Sequence, residues 1–277
     1  MLYAAPTAFM VGVFFVLPLA MVVWMSLHHW PLLGSPELTV PDNYAAMGDD
    51  TLLGDAAWFT LKYTVVITVL LFAIAFGLAL LVQRRRRGVG LLRTAFFLPA
   101  AVGFASASLL FLGLLSQEIG PISALGLSDG YVSWTSGSPE VALGSAVLLV
   151  LWRFAGFNML ILLTGLQAIP LEVYEAARID GANRRQTFRR ITLPLMRPTI
   201  MLVLTLIVTG SLLAFDQFWI LTRGGPDNST TSLVMVIYRK AFIELDLGAA
   251  AAVSVALLGA LVVFSLIQVA VLRRRSS

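Results

Sequence analysis

The sequence predicts an all-α integral membrane protein with six transmembrane helices and both termini cytoplasmic. Three observations carry that expectation. Of 277 residues, 58% are hydrophobic and 12% charged, whereas a soluble domain carries about 25% charge. Six apolar stretches have the length of a membrane span. The arginines gather in alternate loops. A mean hydropathy of +0.88 leaves too little polar side chain to coat a globule. It also excludes a disordered chain and a disulfide-stapled secreted domain.

A bilayer core is roughly 30 Å thick, so a spanning helix needs about 20 mostly apolar residues. The spans are expected at 2–27, 63–83, 94–117, 141–166, 199–222 and 247–272, within one transmembrane domain covering 1–277. They run continuously rather than alternating, which selects helices over barrel strands. The first lacks the basic leader and cleavage pattern of a signal peptide, so it is read as a retained span. Pro18 within it is expected to kink it. The second, third and sixth spans are free of charge. The fourth contains Arg153 and the fifth Asp216. In the sixth, Gly248, Ala252, Ala256 and Ala260 form a small-residue stripe suited to close helix packing.

Orientation follows from the loops. Arg84, Arg85, Arg86, Arg87 and Arg93, the six arginines between Arg178 and Arg197, and Arg273, Arg274 and Arg275 share one side, with three acids. The other side has four basic residues and eleven acids. By the positive-inside rule the arginine side is cytoplasmic. The basic balance therefore reflects membrane topology and contact with anionic lipid, not nucleic acid.

The chain has no cysteine, and its two histidines, His28 and His29, are adjacent. That removes thiol chemistry and Cys-type zinc sites, and leaves too few donors for a metal or catalytic cluster. No catalytic residue and no metal ligand is expected. The phosphate-binding sequence Gly-x-x-x-x-Gly-Lys-[Ser/Thr] is also absent, so no nucleotide cofactor is expected on this chain.

The longest cytoplasmic loop, 167–198, has its own architecture. Pro170 is placed to open a helix. Glu172 and Glu175 lie near its positive end, where carboxylates are favoured. Ala176, Ala177 and Ala182 keep its surface small. Gly181 supplies a left-handed turn. A second helix, 183–191, carries Phe188 among Arg184, Arg185, Arg189 and Arg190, and Pro194 and Pro198 are expected to stop it. Read from the residues alone, this is either a docking element or an amphipathic pair resting on anionic lipid.

Glu175-Ala176-Ala177, then Gly181 after three residues, then Ile191-Thr192-Leu193-Pro194 after nine more, resembles the EAA motif of permease subunits in binding-protein-dependent ABC importers. Leu166-Gln167-Ala168-Ile169-Pro170, Ile179-Asp180-Gly181-Ala182, Phe215-Asp216 and Leu221-Thr222-Arg223-Gly224-Gly225-Pro226 are similar to the carbohydrate-uptake branch, the maltose and glycerol-3-phosphate permeases. The resemblance implies the type I importer permease fold in a bacterial cytoplasmic (inner) membrane. It implies a second EAA-type permease, two ATPase subunits that bind ATP and Mg, and an extracytoplasmic solute-binding protein as partners. Glu175, Ala176, Ala177, Asp180, Gly181, Arg184, Arg185 and Phe188 would then seat on the ATPase. The substrate it implies is a sugar or oligosaccharide, with glycerol-3-phosphate or a glycerophosphodiester as the alternative.

Within the membrane, an arginine costs about 2.5–3.5 kcal/mol on insertion scales, so Arg153 must face protein or water. Arg153, Asn158, Asp216, Gln217 and Trp219 are the candidate pathway residues, because amides, carboxylates and aromatic rings suit sugar hydroxyls and sugar faces. An inter-helix ion pair or an interface anchor is the bland alternative for the charges and for Trp219. Gly224, Gly225 and Pro226 mark a turn where a binding protein would dock. An ion-coupled transporter or channel subunit is the remote alternative. It would leave the 167–198 loop without a purpose.

Overall fold

The computed structural model describes residues 5–31, 34–83, 87–116, 120–121 and 137–273. Arg84, Arg85, Arg86, Glu118, Asp129, Arg274 and Arg275 lie outside the described residues.

Helix α1, Ala5–Ser26, is a 22-residue apolar span. A π turn over Gly12–Val16 precedes Leu17 and Pro18. Proline offers no N–H to the carbonyl four residues back and its ring crowds that carbonyl; the wider turn relieves both. A short ribbon follows, with β1 (His28–His29) antiparallel to β2 (Glu37–Leu38). His28 is a structural residue: its Nδ1 lies 2.8 Å from the Trp24 carbonyl and its ring stacks on Trp24. Helix α2, Asp42–Asp49, completes this cap.

Helix α3, Thr51–Val82, starts at 51 and not at the expected 63. Asp50 caps it, accepting from the Leu53 N–H at 3.1 Å, which satisfies one of the free donors of the first turn. Asp55 and Lys62 sit on exposed faces of the helix, so the charges that shorten the apolar stretch do not interrupt the backbone.

The third span is not the continuous helix expected over 94–117. Helix α4, Val89–Phe97, passes through a 3-10 turn at Leu98–Ala101, and α5, Phe104–Leu114, leaves at 95°. Pro99 removes a donor inside the turn and Gly103 precedes α5. Both residues keep the stretch apolar while breaking the hydrogen-bond ladder. Helix α6, Pro139–Gln167, closely matches the predicted fourth span; Ser138 caps it and Pro139 occupies its first turn.

The two-helix loop comes next: α7, Leu171–Ile179, and α8, Arg184–Leu195. Pro194 does not end α8. A π turn at Phe188–Thr192 accommodates it, and the helical path continues to Leu195. Helix α9, Arg197–Leu212, then departs at 66° with Pro198 in its first turn. The predicted fifth span, 199–222, is also broken. Residues 213–215 leave the helix before α10, Asp216–Leu221. The Ser232 hydroxyl, donating to the Ala214 carbonyl at 2.6 Å, satisfies a backbone group exposed by the break. Helices α11, Leu233–Phe242, and α12, Leu247–Arg273, end the fold. Ala252 of the small-residue stripe is fully buried and Gly248 abuts the His28 carbonyl, whereas Ala256 and Ala260 are exposed. The stripe therefore packs at one end only.

Helices α1, α3, α6 and α12 are long and apolar enough to cross a membrane, and the bent pairs α4–α5 and α8–α9 raise the possible spans to six. The main core lies between α3 and α6. Tyr63, Ile67, Leu71, Ala75 and Ala79 face Ala146, Leu149, Met159 and Leu162. Alanines at four-residue spacing bring the two axes close, and dispersion then acts over a long contact. A smaller cluster, Leu53, Ala56, Val236 and Val253, joins α3, α11 and α12. Beside it Lys240 Nζ lies 2.8 Å from the Asp50 carboxylate.

Candidate functional site

The α7–α8 unit is built from two consecutive caps. At the end of α7, Ala182 N–H donates to the Ala177 carbonyl at 2.9 Å and Gly181 N–H to the Arg178 carbonyl at 3.1 Å. Gly181 has φ +75°. This is a Schellman closure, in which glycine takes the left-handed position without a Cβ penalty. Asn183 then opens α8 through a reciprocal capping box with Gln186, satisfying two donors at once. The turn between the helices is thus defined rather than loose.

The unit also has an inside and an outside. Ala177 is buried, the Tyr174 hydroxyl meets the Thr192 hydroxyl at 3.3 Å, and Phe188 packs against Phe76 of α3 at 6.1 Å between ring centres. Glu175, Ala176, Asp180, Gly181, Arg184 and Arg185 are exposed. So is Ile179, at 87%. Phe188 therefore fastens the unit to the spans rather than pointing outward with the arginines. Ile179 was missed by sequence reasoning, although helical spacing from Glu172 and Glu175 puts it on the same face.

The second feature is a cavity of about 360 Å³ among α3, α5, α6, α9 and α10. Asn158, Asp216 and Gln217 all line it, with Tyr63 and Ser211. Gln217 is 2% exposed and its Nε2 donates to the Tyr63 hydroxyl at 3.1 Å; Asn158 is 3% exposed and its Nδ2 donates to the Phe154 carbonyl at 2.9 Å. Tyr63 carried no signal in the sequence, being one ring in an apolar span. The fifth-span break positions Asp216 and Gln217, since α10 starts at the cavity wall.

Arg153 and Trp219 are not among the lining residues. The Arg153 guanidinium lies 4.9 Å from the centre of the Phe154 ring, and its Nε has no partner. Asp216 does not pair with it; the ion pair found among the described residues is Lys240 with Asp50. Trp219 stacks on Phe215 and packs against Tyr238 at 4.8 Å.

The turn after α10 is compact. The Gly225–Pro226 bond is cis and Gly224 has φ +85°. The Thr222 and Thr230 hydroxyls meet at 2.7 Å, and Thr230 also donates to the Gly225 carbonyl at 2.7 Å. Gly224 is buried and Gly225 and Pro226 are half-buried, while Arg223, Asp227 and Asn228 are exposed. The predicted glycines and proline are the frame of this turn, and its exposed side chains belong to their neighbours.

A set of broken and unbroken apolar spans around a partly polar cavity, with a rigid two-helix loop at one end, defines a multi-pass transport permease. Residues 72–277 match the family of binding-protein-dependent transport system inner membrane components. The chain is 33% identical, over 92% of its length and 83% of the relative's, to the sulfoquinovosyl glycerol transport system permease protein SmoG of Agrobacterium fabrum. It is 32% identical to the multiple sugar-binding transport system permease protein MsmF of Streptococcus mutans, covering 93% of this chain and 89% of MsmF. It is 32% identical to the sn-glycerol-3-phosphate transport system permease protein UgpA of Escherichia coli, covering 96% and 91%. Its fold is similar to that of a bacterial ABC transporter involved in the import of the acidic polysaccharide alginate, with TM-score 0.84 and 23% identity over 100% of this chain and 96% of that one. The chain belongs to the binding-protein-dependent transport system inner membrane component family. It is a transmembrane permease component of a binding-protein-dependent transport system and not itself an enzyme.

Proposed function

We propose that the chain forms half of the translocation path for a sugar or oligosaccharide in a bacterial cytoplasmic membrane. A second EAA-type permease supplies the other half. Two ATPase subunits bind ATP and Mg, and an extracytoplasmic solute-binding protein delivers the solute. The observation that carries this reading is the α7–α8 unit, two capped helices with a buried inner face and an exposed outer face of Glu175, Ala176, Ile179 and Gly181. Such a face seats a partner. ATP and the docked binding protein shift the spans between inward-facing and outward-facing states by binding one state more tightly. Asn158, Asp216 and Gln217 line the path. The turn at Gly224, Gly225 and Pro226 holds the surface on which the binding protein docks.

Similarity to UgpA over 96% of the chain favours a second reading, the same machinery importing glycerol-3-phosphate or a glycerophosphodiester.

The test is solute uptake by the assembled transporter in vesicles, with and without the ATPase partner. Uptake is expected to vanish without the ATPase; uptake that persists overturns the reading. G181D is expected to abolish binding-protein-stimulated ATP hydrolysis and uptake while the subunit still inserts. Its side chain has open space around it, and aspartate bears the left-handed backbone of φ +75° better than most residues with a Cβ, so the added charge rather than a collapsed turn is what the variant tests.

A further inference from the structure

Two buried amides that line the cavity each keep an unpartnered oxygen. Asn158 Nδ2 is committed to the Phe154 carbonyl, so the free atom of that amide is its oxygen, which has no partner. Gln217 donates to Tyr63 and its Oε1 likewise has no partner. Both side chains are more than nine-tenths buried. Asp216 adds a carboxylate to the same wall, and no lysine or arginine lines the cavity among the described residues. Arg153 lies against the Phe154 ring and is not part of the lining.

We propose that this cavity is a charge filter in the transport path. It accepts hydroxyl-bearing neutral groups and cations and holds back phosphate, sulfonate and carboxylate groups. A hydroxyl brings a proton to an unpartnered amide oxygen, whereas an ionised phosphate or sulfonate brings only further acceptors. The surrounding Phe, Leu, Ile and Val side chains keep the local dielectric low, which strengthens repulsion between Asp216 and an entering anion. An anionic part of any solute must then be met by the other permease. The filter rests on the cavity belonging to the path, and it favours the neutral sugar over glycerol-3-phosphate on this subunit.

The chain has no cysteine, and a side chain added at Gly210, which lines the cavity, meets open space. The G210C variant, assembled with its partners in vesicles, is treated with cationic, neutral and anionic methanethiosulfonates. Each rate is divided by that reagent's rate with a free small thiol. The cationic reagent is expected to react about tenfold faster than the anionic one, and D216N is expected to remove most of that gap. Equal normalised rates, a gap that D216N leaves intact, or a thiol none of the reagents reaches overturns the filter. So does a faster anionic reagent that R153Q slows, since the charge role would then belong to Arg153. Uptake by the unsubstituted transporter is measured alongside. Sustained ATP-dependent uptake with no charge preference removes the filter alone and leaves the permease reading in place.

Discussion

Asp50 serves two elements with one carboxylate. It caps α3 and it pairs with Lys240 on α11. The hydrogen bond from the Lys240 ammonium holds its carboxyl below the usual carboxylate range, against a partial desolvation that pushes the other way. A folded-state pKa below the unfolded value, about 3.9, means that the ionised form stabilises the fold above that pH. The contribution is lost as pH falls through the lowered value. The pair is partly solvated, so its worth is no more than about 1 kcal/mol. D50N keeps a good cap residue and removes the charge. Thermal unfolding in detergent is expected to show D50N and K240Q slightly less stable than the parent at neutral pH, with the gap closing below about pH 4. A gap that does not change with pH would remove the ion pair from the account. None of this pairing is legible in the sequence, because hydropathy assigns residues to an environment but not to each other. Tyr63 with Gln217 is hidden for the same reason. The α7–α8 unit was legible, since its caps and its glycine act within a few residues along the chain.

Two spans that hydropathy presents as whole are broken in space. Pro99 and Gly103 in one, and residues 213–215 in the other, cost the stretch no apolar character, so an average over composition passes across them. What reveals the breaks is where the freed backbone groups go. The break in the third span is held by α6, where Gly156 lies against the Phe96 carbonyl so closely that a Cβ would collide with backbone. Gly144 of the same helix has open space instead. Forcing a side chain into such a contact costs about 1–3 kcal/mol or more. G156V is expected to lower the unfolding temperature sharply, and G144A, which gains helix propensity, to leave it unchanged or slightly raised. Equal effects of the two would mean that the α4–α5 corner does not rest on α6.

At the scale of the whole molecule, the net charge of +4 hides a sorted distribution. The exposed arginines of α8, Arg184, Arg185, Arg189 and Arg190, stand at the end of the spans that bears the two-helix loop. Asp42, Asp49, Asp50 and Asp55 gather where α2 meets α3. The positive-inside rule leads to the expectation that the first end lies in the cytoplasm. A membrane-impermeant maleimide is expected to label D227C in intact spheroplasts, and to label A176C only after the membrane is opened. The reverse pattern would invert the orientation.

The longest unbroken helix ties these scales together. At about 1.5 Å per residue, the 32 residues of α3 measure roughly 48 Å, more than a bilayer core. Phe76 rests on Phe188 of the two-helix loop, Tyr63 holds Gln217 at the cavity, and Asp50 holds Lys240 at the far end. No proline interrupts the rod between these points. A helix without a proline break couples movement at one end to the points packed along it. Loop, cavity and far clasp are then expected to keep a single clock, which labels at Phe188, Gln217 and Lys240 would check by reporting one rate during turnover.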